Sequence, residues 1–272
     1  MTSSIEGITQ EMVIVTLANE KGGIGKTTLA CHIAWFIAET GRRVLAVDLD
    51  PQGNLSYTLL GEKGLGIKRA VMQEWPLDRA ATAVEGYSGF LWVLTSDKAT
   101  GDVRNWLKVS GSRLDALDPL IDQAREAGFD YVVVDTPPSP AMDNESGRVL
   151  DALLAPALHV SDFVLVPTEM EQLALGGLAA LSATLTVLQK GGAKVQLLGV
   201  VPTKYDARTT EHAANLREVV AVYNNLVYPV IRKAIDVARS PAYGLPVWAF
   251  APNNPVSGKL RAVAERVVRD VE

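Results

Sequence analysis

The chain has 272 residues, 48% hydrophobic and 21% charged, with 26 Lys+Arg against 31 Asp+Glu for a net charge of −5. These proportions exclude a disordered, collagen-like or disulfide-stapled chain, and the acidic balance excludes a protein that coats nucleic acid with its whole surface. The balance is uneven: residues 204–272 hold ten Lys/Arg against seven Asp/Glu and are +3, while the first 203 residues are −8.

In chain order, residues 1–11 show no basic region followed by an apolar run, so the sequence predicts a flexible segment without a signal peptide, followed by one domain over 12–272. Short runs apolar on both faces predict strands at Val13–Leu17, Val44–Val47, Leu91–Leu94, Tyr131–Val134, Phe163–Val166, Val195–Val201 and Leu226–Val230. Helices are expected at about 27–40, 113–127, 145–158, 170–189, 211–223 and 255–270. The alternation predicts an α/β fold, a doubly wound, mostly parallel sheet with helices on both faces. The glycine-rich stretch from about 58 to 112 reads as short helices and loops decorating one end of that sheet. Gln172 to Gln189 carries no charge, yet its glycines and hydroxyls inside the repeating pattern predict a buried helix, not a membrane span. The last helix has Leu260, Val263, Val267, Val268 and Val271 on or near one face, lacks aromatics and closes on Asp270-Val271-Glu272, so it is expected to dock on the core. A single cysteine, Cys31, allows no internal disulfide and no multi-cysteine metal site, consistent with a reducing cytoplasm. His32, His159 and His212 are too scattered for a metal site, and Trp35 and Phe36 read as core.

The chemistry concentrates at strand ends. Lys21-Gly22-Gly23-Ile24-Gly25-Lys26-Thr27-Thr28 follows the first strand and opens a helix; it lacks the usual leading glycine of a P-loop but keeps the G-K-T end. Glycines let successive N–H groups turn onto phosphate oxygens and the helix N-terminus adds positive potential, so Gly22 to Thr28 are expected to hold a nucleotide. Lys26 would reach the β/γ-phosphates and the Thr27 hydroxyl would ligate Mg²⁺. Asp135, closing the strand Val132-Val133-Val134, is the expected acidic partner of the metal, and Thr136-Pro137-Pro138-Ser139 a stiff turn near the γ-phosphate. Of the two carboxylates after the second strand, Asp50 is expected to meet the attacking water and Asp48 to support the metal. Pro202-Thr203-Lys204 is the expected base-side segment, with Thr203 as its contact.

Together these segments resemble the deviant Walker A ATPases, most closely the ParA/Soj type. Lys21 to Thr28 fits K-G-G-x-G-K-T-[ST], Asp48-Leu49-Asp50-Pro51-Gln52-Gly53-Asn54 fits D-x-D-P-Q-G-N, and Asp135 to Ser139 fits D-x-P-P-S. Pro167, Glu171, Ala174-Leu175 and Gly177-Leu178 resemble the family's P-x-x-x-E-x-x-A-L-x-G-L, and Tyr205-Asp206-Ala207-Arg208-Thr209 its Y-D-A-R-T. The resemblance implies an ATP hydrolase using ATP and Mg²⁺, in which Lys21 crosses a two-fold axis to the other subunit's phosphates and joins Lys26 and Asp50 in catalysis. It further implies a homodimer in the ATP state that binds double-stranded DNA without sequence preference, is stimulated by a ParB-like partner, and is cytoplasmic and nucleoid-associated. Arg208, Arg217, Arg232, Lys233 and Arg239 are the candidate DNA contacts in the basic last quarter, which also holds Lys259 and Arg261. The family's I-P-R-N-V-R-L-x-E-A-P-x-x-G segment is altered here, running from Ile231 to Gly244 with Asp236 at a basic position and Arg239 where a glutamate stands. The alternative is a MinD-like membrane-surface ATPase. A nitrogenase-iron-protein type is excluded by cysteine number, and a dethiobiotin-synthetase type lacks a recognisable carboxylate-activating pocket.

Overall fold

Strands β1 (Val13–Leu17), β2 (Val44–Asp48), β3 (Ala81–Ala83), β4 (Leu91–Leu94), β5 (Tyr131–Asp135), β6 (Phe163–Glu169) and β7 (Gln196–Thr203) form a sheet in the order β3-β4-β2-β5-β1-β6-β7. All pair in parallel except β3, antiparallel on the edge of β4. The computed structural model describes residues 11–87, 89–111, 113–139, 150–172 and 174–272. The helices are α1 (Lys26–Glu39), α2 (Asn54–Leu60), α3 (Gly66–Met72), α4 (Leu77–Ala80), α5 (Thr100–Val109), α6 (Asp118–Glu126), α7 (Leu154–Val160), α8 (Ala174–Lys190), α9 (Thr210–Tyr223), α10 (Ile235–Arg239), α11 (Val247–Phe250) and α12 (Pro255–Val271).

Strand alternation divides the core between two faces. Val15, Leu17, Val44, Ala46 and Val133 pack with α1 and α12, while Ile14, Leu45, Val47, Val132 and Val134 pack with Val103 and Leu107 of α5 and Leu120, Ile121 and Ala124 of α6. The last helix docks as expected: α12 buries Val256, Leu260, Val263, Ala264 and Val267 beside α1, each large apolar side chain contributing about 1.5–3 kcal/mol. The uncharged stretch is α8, but it is one-sided. Leu178, Leu181, Leu185 and Leu188 face the core while Gly176, Ala179 and Ala183 are exposed. Among the described residues no helix is long and apolar enough to cross a membrane.

Three expectations are corrected. Leu226–Val230 is no strand: an isolated bridge, Val200 to Val227, joins it to β7, and the next hydrogen bond to β7 comes one residue out of step, from the Ile231 N–H to the Pro202 carbonyl. The stretch 58–112 does more than decorate, since beyond the expected strand at Leu91–Leu94 it adds β3 at the sheet edge, whose Ala-Thr-Ala carries no apolar signal. The helix expected at 145–158 is α7 at Leu154–Val160, with 145–149 outside the described residues.

The strand order creates the site. The chain leaves β1 toward β2 on one side and crosses from β5 to β6 on the other, and ligands bind where such windings diverge, beyond the strands' carboxyl ends. Pairing aligns Leu17 with Asp135 and Asp48 with Asp135, so the ends of β1, β2 and β5 lie side by side.

Candidate functional site

Residues 18–25 cross from β1 to α1. Gly25 takes φ +100 at the helix start, where a side chain would be strained, and no side chain caps α1. The first N–H groups of α1 are therefore left for an external anion. Buried Ile24 anchors the loop, and its carbonyl accepts a 2.7 Å hydrogen bond from the buried Thr203 hydroxyl at the end of β7. A cavity of about 800 Å³ opens here, lined by Gly23 to Thr28, Asp50, Pro138, Thr203, Lys204 and the segment around Ile231 to Ala238. Thr203 is thus brought to the loop, whereas Gly22 and Lys21 lie outside the cavity lining.

Lys26 is folded over its own loop. Its Nζ donates to the carbonyls of Lys21 (2.9 Å) and Asn19 (3.1 Å). Burial lowers its pKa, against the opposing charges of Asp135 and Asp50. Asn19 escaped sequence reasoning; its amide donates to the Pro167 carbonyl and its Oδ1 accepts from the Lys21 N–H, tying the loop to β6.

Lys21 Nζ pairs with Glu171 at 2.9 Å, with 37% and 52% of the two side chains exposed. The ammonium holds the Glu171 carboxyl below its usual range. The pair is surface-exposed and therefore weak.

Asp135 is fully buried; its Oδ2 accepts a 2.6 Å hydrogen bond from Thr27 Oγ1, and its Oδ1 has no partner. Burial, and then the charge of Asp48 in register on β2, push its pKa well above 3.8. A divalent cation fits this arrangement. It would take the orphaned oxygen's side of the carboxylate and relieve the repulsion among Asp135, Asp48 and Asp50. Among the described residues no group of three or more His, Cys, Asp or Glu could cage a metal, so such a cation would draw its remaining ligands from phosphate and water, as Mg²⁺ commonly does.

Asp48, expected to support the metal, is engaged by the chain itself. Its Oδ1 accepts from the Asp50 N–H (3.1 Å) and its Oδ2 from the N–H (2.9 Å) and Oγ (2.6 Å) of Ser56, so both oxygens are committed. Burial pushes its pKa up to about 6 against these bonds. It is a post that shapes the turn carrying Asp50. β2 ends at Asp48, and Asp50 lines the cavity with Oδ1 accepting from the Gln52 N–H. Ser56 and Ser96 complete the support: Ser96 Oγ donates to the Asp50 carbonyl and the Ser96 N–H to Ser56 Oγ. A Cβ on Gly53 would fall 2.5 Å from the Ser96 carbonyl oxygen, so this turn requires glycine. Nothing in the local pattern marks this support, because Ser96 meets Ser56 and Asp50 across 40 and 46 residues of chain.

His32 is structural. Its Nε2 accepts from the Val247 N–H (3.0 Å), which leaves Nδ1 to donate to the Thr28 carbonyl (2.6 Å), and burial lowers its pKa to about 4. The candidate DNA contacts are dispersed. Arg232 and Lys233 line the cavity, Arg217 is exposed on α9, Arg208 is paired with Asp206, and Arg239 lies 3.9 Å from Asp236. Arg261 is held by Glu39 and Glu265.

A family model described as an AAA domain matches residues 12–197. The chain is 33% identical over 265 residues to the chromosome-partitioning ATPase Soj of Thermus thermophilus, covering 95% of this chain and 96% of Soj. It is 32% identical over 270 residues to protein IncC of Escherichia coli, covering 97% of this chain and 71% of IncC. Among solved structures, an McdA variant from Cyanothece in complex with ATP shares the fold, with a TM-score of 0.78 at 20% identity over 96% of each chain. With the phosphate loop, the strand-end carboxylates and these near full-length relatives in hand, the chain belongs to the Soj, ParA and IncC family of partition ATPases within the AAA-domain P-loop proteins.

Proposed function

We propose that this ATPase binds ATP with magnesium in the cavity at the strand ends, dimerises around it, holds DNA without sequence preference and lets go on hydrolysis. The reading is carried by a preformed phosphate loop set against the unpartnered Asp135 oxygen beside the Thr27 hydroxyl. Lys26 would exchange the two loop carbonyls it now binds for phosphate oxygens. Thr27 and Asp135 would hold the magnesium ion, which when bound neutralises charge on the β- and γ-phosphates. Asp50, at the cavity wall, would orient the attacking water, with Asp48, Ser56 and Ser96 fixing its turn. Gly22 to Thr28 would cradle the phosphates, and Thr203 would keep the loop in shape.

Lys21 would serve the partner subunit. It sits outside its own cavity on a weak ion pair with Glu171, and exchanging that carboxylate for a partner's triphosphate would make dimerisation conditional on nucleotide. For DNA, Arg217, Arg232 and Lys233 have no carboxylate within 4.0 Å among the described residues, whereas Arg208 and Arg239 are already paired. A ParB-like protein would stimulate hydrolysis, with the dimer on the nucleoid in the cytoplasm. A membrane-surface role is disfavoured because α12 spends its apolar face on α1.

The deciding experiment compares retention on non-specific duplex DNA with ATP and with ADP over a salt series. Retention should require ATP and fall steeply with salt. Lys26→Ala should lose ATP binding, and Lys21→Ala should bind ATP yet stay monomeric by light scattering. Equal DNA binding with ADP, or ATP-driven dimers of Lys21→Ala, would sink the corresponding part of the proposal.

A further inference from the structure

We infer that Lys204 is a third nucleotide-binding lysine, held ready beside the phosphate loop by Glu169; the inference rests on the nucleotide reading of the cavity. Sequence reasoning put Lys204 in a base-side segment, but the geometry points to the phosphates. Its Nζ lies 3.8 Å from where a Cβ on Gly23 would stand, and its side chain lines the same cavity as Lys26. The backbone at Lys204 has φ +50, in the left-handed region that L-residues avoid, which it shares among the described non-glycine residues only with Glu74 and Asn224. Neither of those two lines the cavity. A disfavoured conformation retained at the mouth of a site is a reason to look for a function there. The preceding residue, Thr203, fastens β7 to the loop through the Ile24 carbonyl, so the position of Lys204 relative to Gly23 is fixed at short range.

The partner of Lys204 explains how it waits. Glu169, the last residue of β6, accepts from Lys204 Nζ at 2.8 Å, with 48% of the lysine side chain and 17% of the glutamate side chain exposed. Two residues on, Glu171 holds Lys21 in the same way. One strand end therefore holds both lysines. A triphosphate carries several negative charges against the single charge of Glu169, and it would be bound within a short side-chain swing of Nζ. Lys204 then moves from carboxylate to phosphate, adding a charge-assisted hydrogen bond in a partly desolvated site.

The test uses the full chain and fluorescent analogues of ATP, ADP and AMP. Lys204→Met keeps the apolar stem and removes the charge. It should weaken ATP about tenfold, equivalent to ~1.4 kcal/mol, weaken ADP less, leave AMP unchanged and flatten the salt dependence. Lys204→Arg should recover most of the loss. Glu169→Gln should tighten ATP about threefold in the wild-type background and have no effect in Lys204→Met, the coupling expected of two residues acting through one contact. Unchanged ATP affinity in Lys204→Met would overturn the inference. Equal weakening of all three nucleotides would also overturn it, by putting the stem against base or ribose. If the wild type bound no ATP, or Lys26→Ala bound it undiminished, the nucleotide reading itself would fall and this inference with it.

Discussion

Replacing Asp135 with asparagine should make the nucleotide-free protein more stable while removing its response to magnesium. The wild-type carboxylate is fully buried, has one oxygen without a partner, and stands in register with Asp48 on the next strand. Asparagine keeps an oxygen to accept from Thr27 and removes the charge. The amide NH2 takes the place of the unpartnered oxygen, so the gain comes from removing a buried charge beside Asp48, on the order of 1–3 kcal/mol, or a rise of roughly 2–4 °C in Tm per kcal/mol for a chain of this size. Because the folded protein holds the Asp135 proton more tightly than the unfolded chain, whose carboxyl titrates near 3.8, wild-type stability is full below that value. It is lost as pH rises through the folded pKa. The advantage of Asp135→Asn should accordingly widen with rising pH. The assay is thermal unfolding with and without ATP, each with and without magnesium. Wild type at a hundredfold excess of ligand over Kd gains about 2.7 kcal/mol, and the magnesium-dependent part of that gain should vanish in the variant. A nucleotide-free variant that melts below wild type, or that keeps the full magnesium increment, would refute the assignment of the orphaned oxygen to the metal.

Thr203→Val keeps the side-chain shape but deletes the hydroxyl that donates to Ile24, and should cost about 1–2 kcal/mol of stability and weaken ATP several-fold; urea unfolding and nucleotide titration read both. Gly199→Ala should be severely destabilising, because its Cβ would lie 2.4 Å from a Tyr228 ring carbon and 2.5 Å from the Leu226 carbonyl oxygen, with backbone on one side unable to yield; a wild-type Tm would contradict this packing. His32, with its pKa lowered to about 4 from 6.5, contributes stability that is present above pH 6.5 and lost as pH falls toward 4. In that window wild type should lose about 3 kcal/mol relative to His32→Asn. A constant gap between the two proteins from pH 6.5 to 4 would mean that His32 does not stay neutral.

The basic last quarter shows how composition and structure diverge. Its surplus of +3 suggested a free cationic face. In the fold, Lys204, Arg208, Arg239, Arg261, Arg266 and Arg269 each have a carboxylate within 4.0 Å, and Arg266 also stacks 4.1 Å over Tyr228. Asp206, Asp236 and Asp270 are local partners already counted in that surplus, whereas Glu39 and Glu169 lie far away in sequence and are brought in only by the fold.

What the sequence determined by itself was whatever rests on short-range pattern. Runs apolar on both faces specify buried parallel strands, a glycine loop ahead of a helix specifies an anion site, and a carboxylate closing an apolar strand specifies acid at the sheet's edge. Hence β1, β2, β4, β5, β6 and β7, the loop from Gly22 to Thr28, and Asp135 were legible in the sequence. Tertiary structure alone decided how each side chain is spent. Asp48 and Asp50 look alike in sequence, yet the Ser56 hydrogen bonds of one and the cavity exposure of the other separate post from candidate catalyst. Lys21 and Lys204 are poised by two glutamates at one strand end, contacts that exist only because β6 lies between β1 and β7. Periodicity reports which faces are buried, but the energy of a buried or paired polar group depends on its particular neighbours. Those neighbours are chosen by the order and register of the strands.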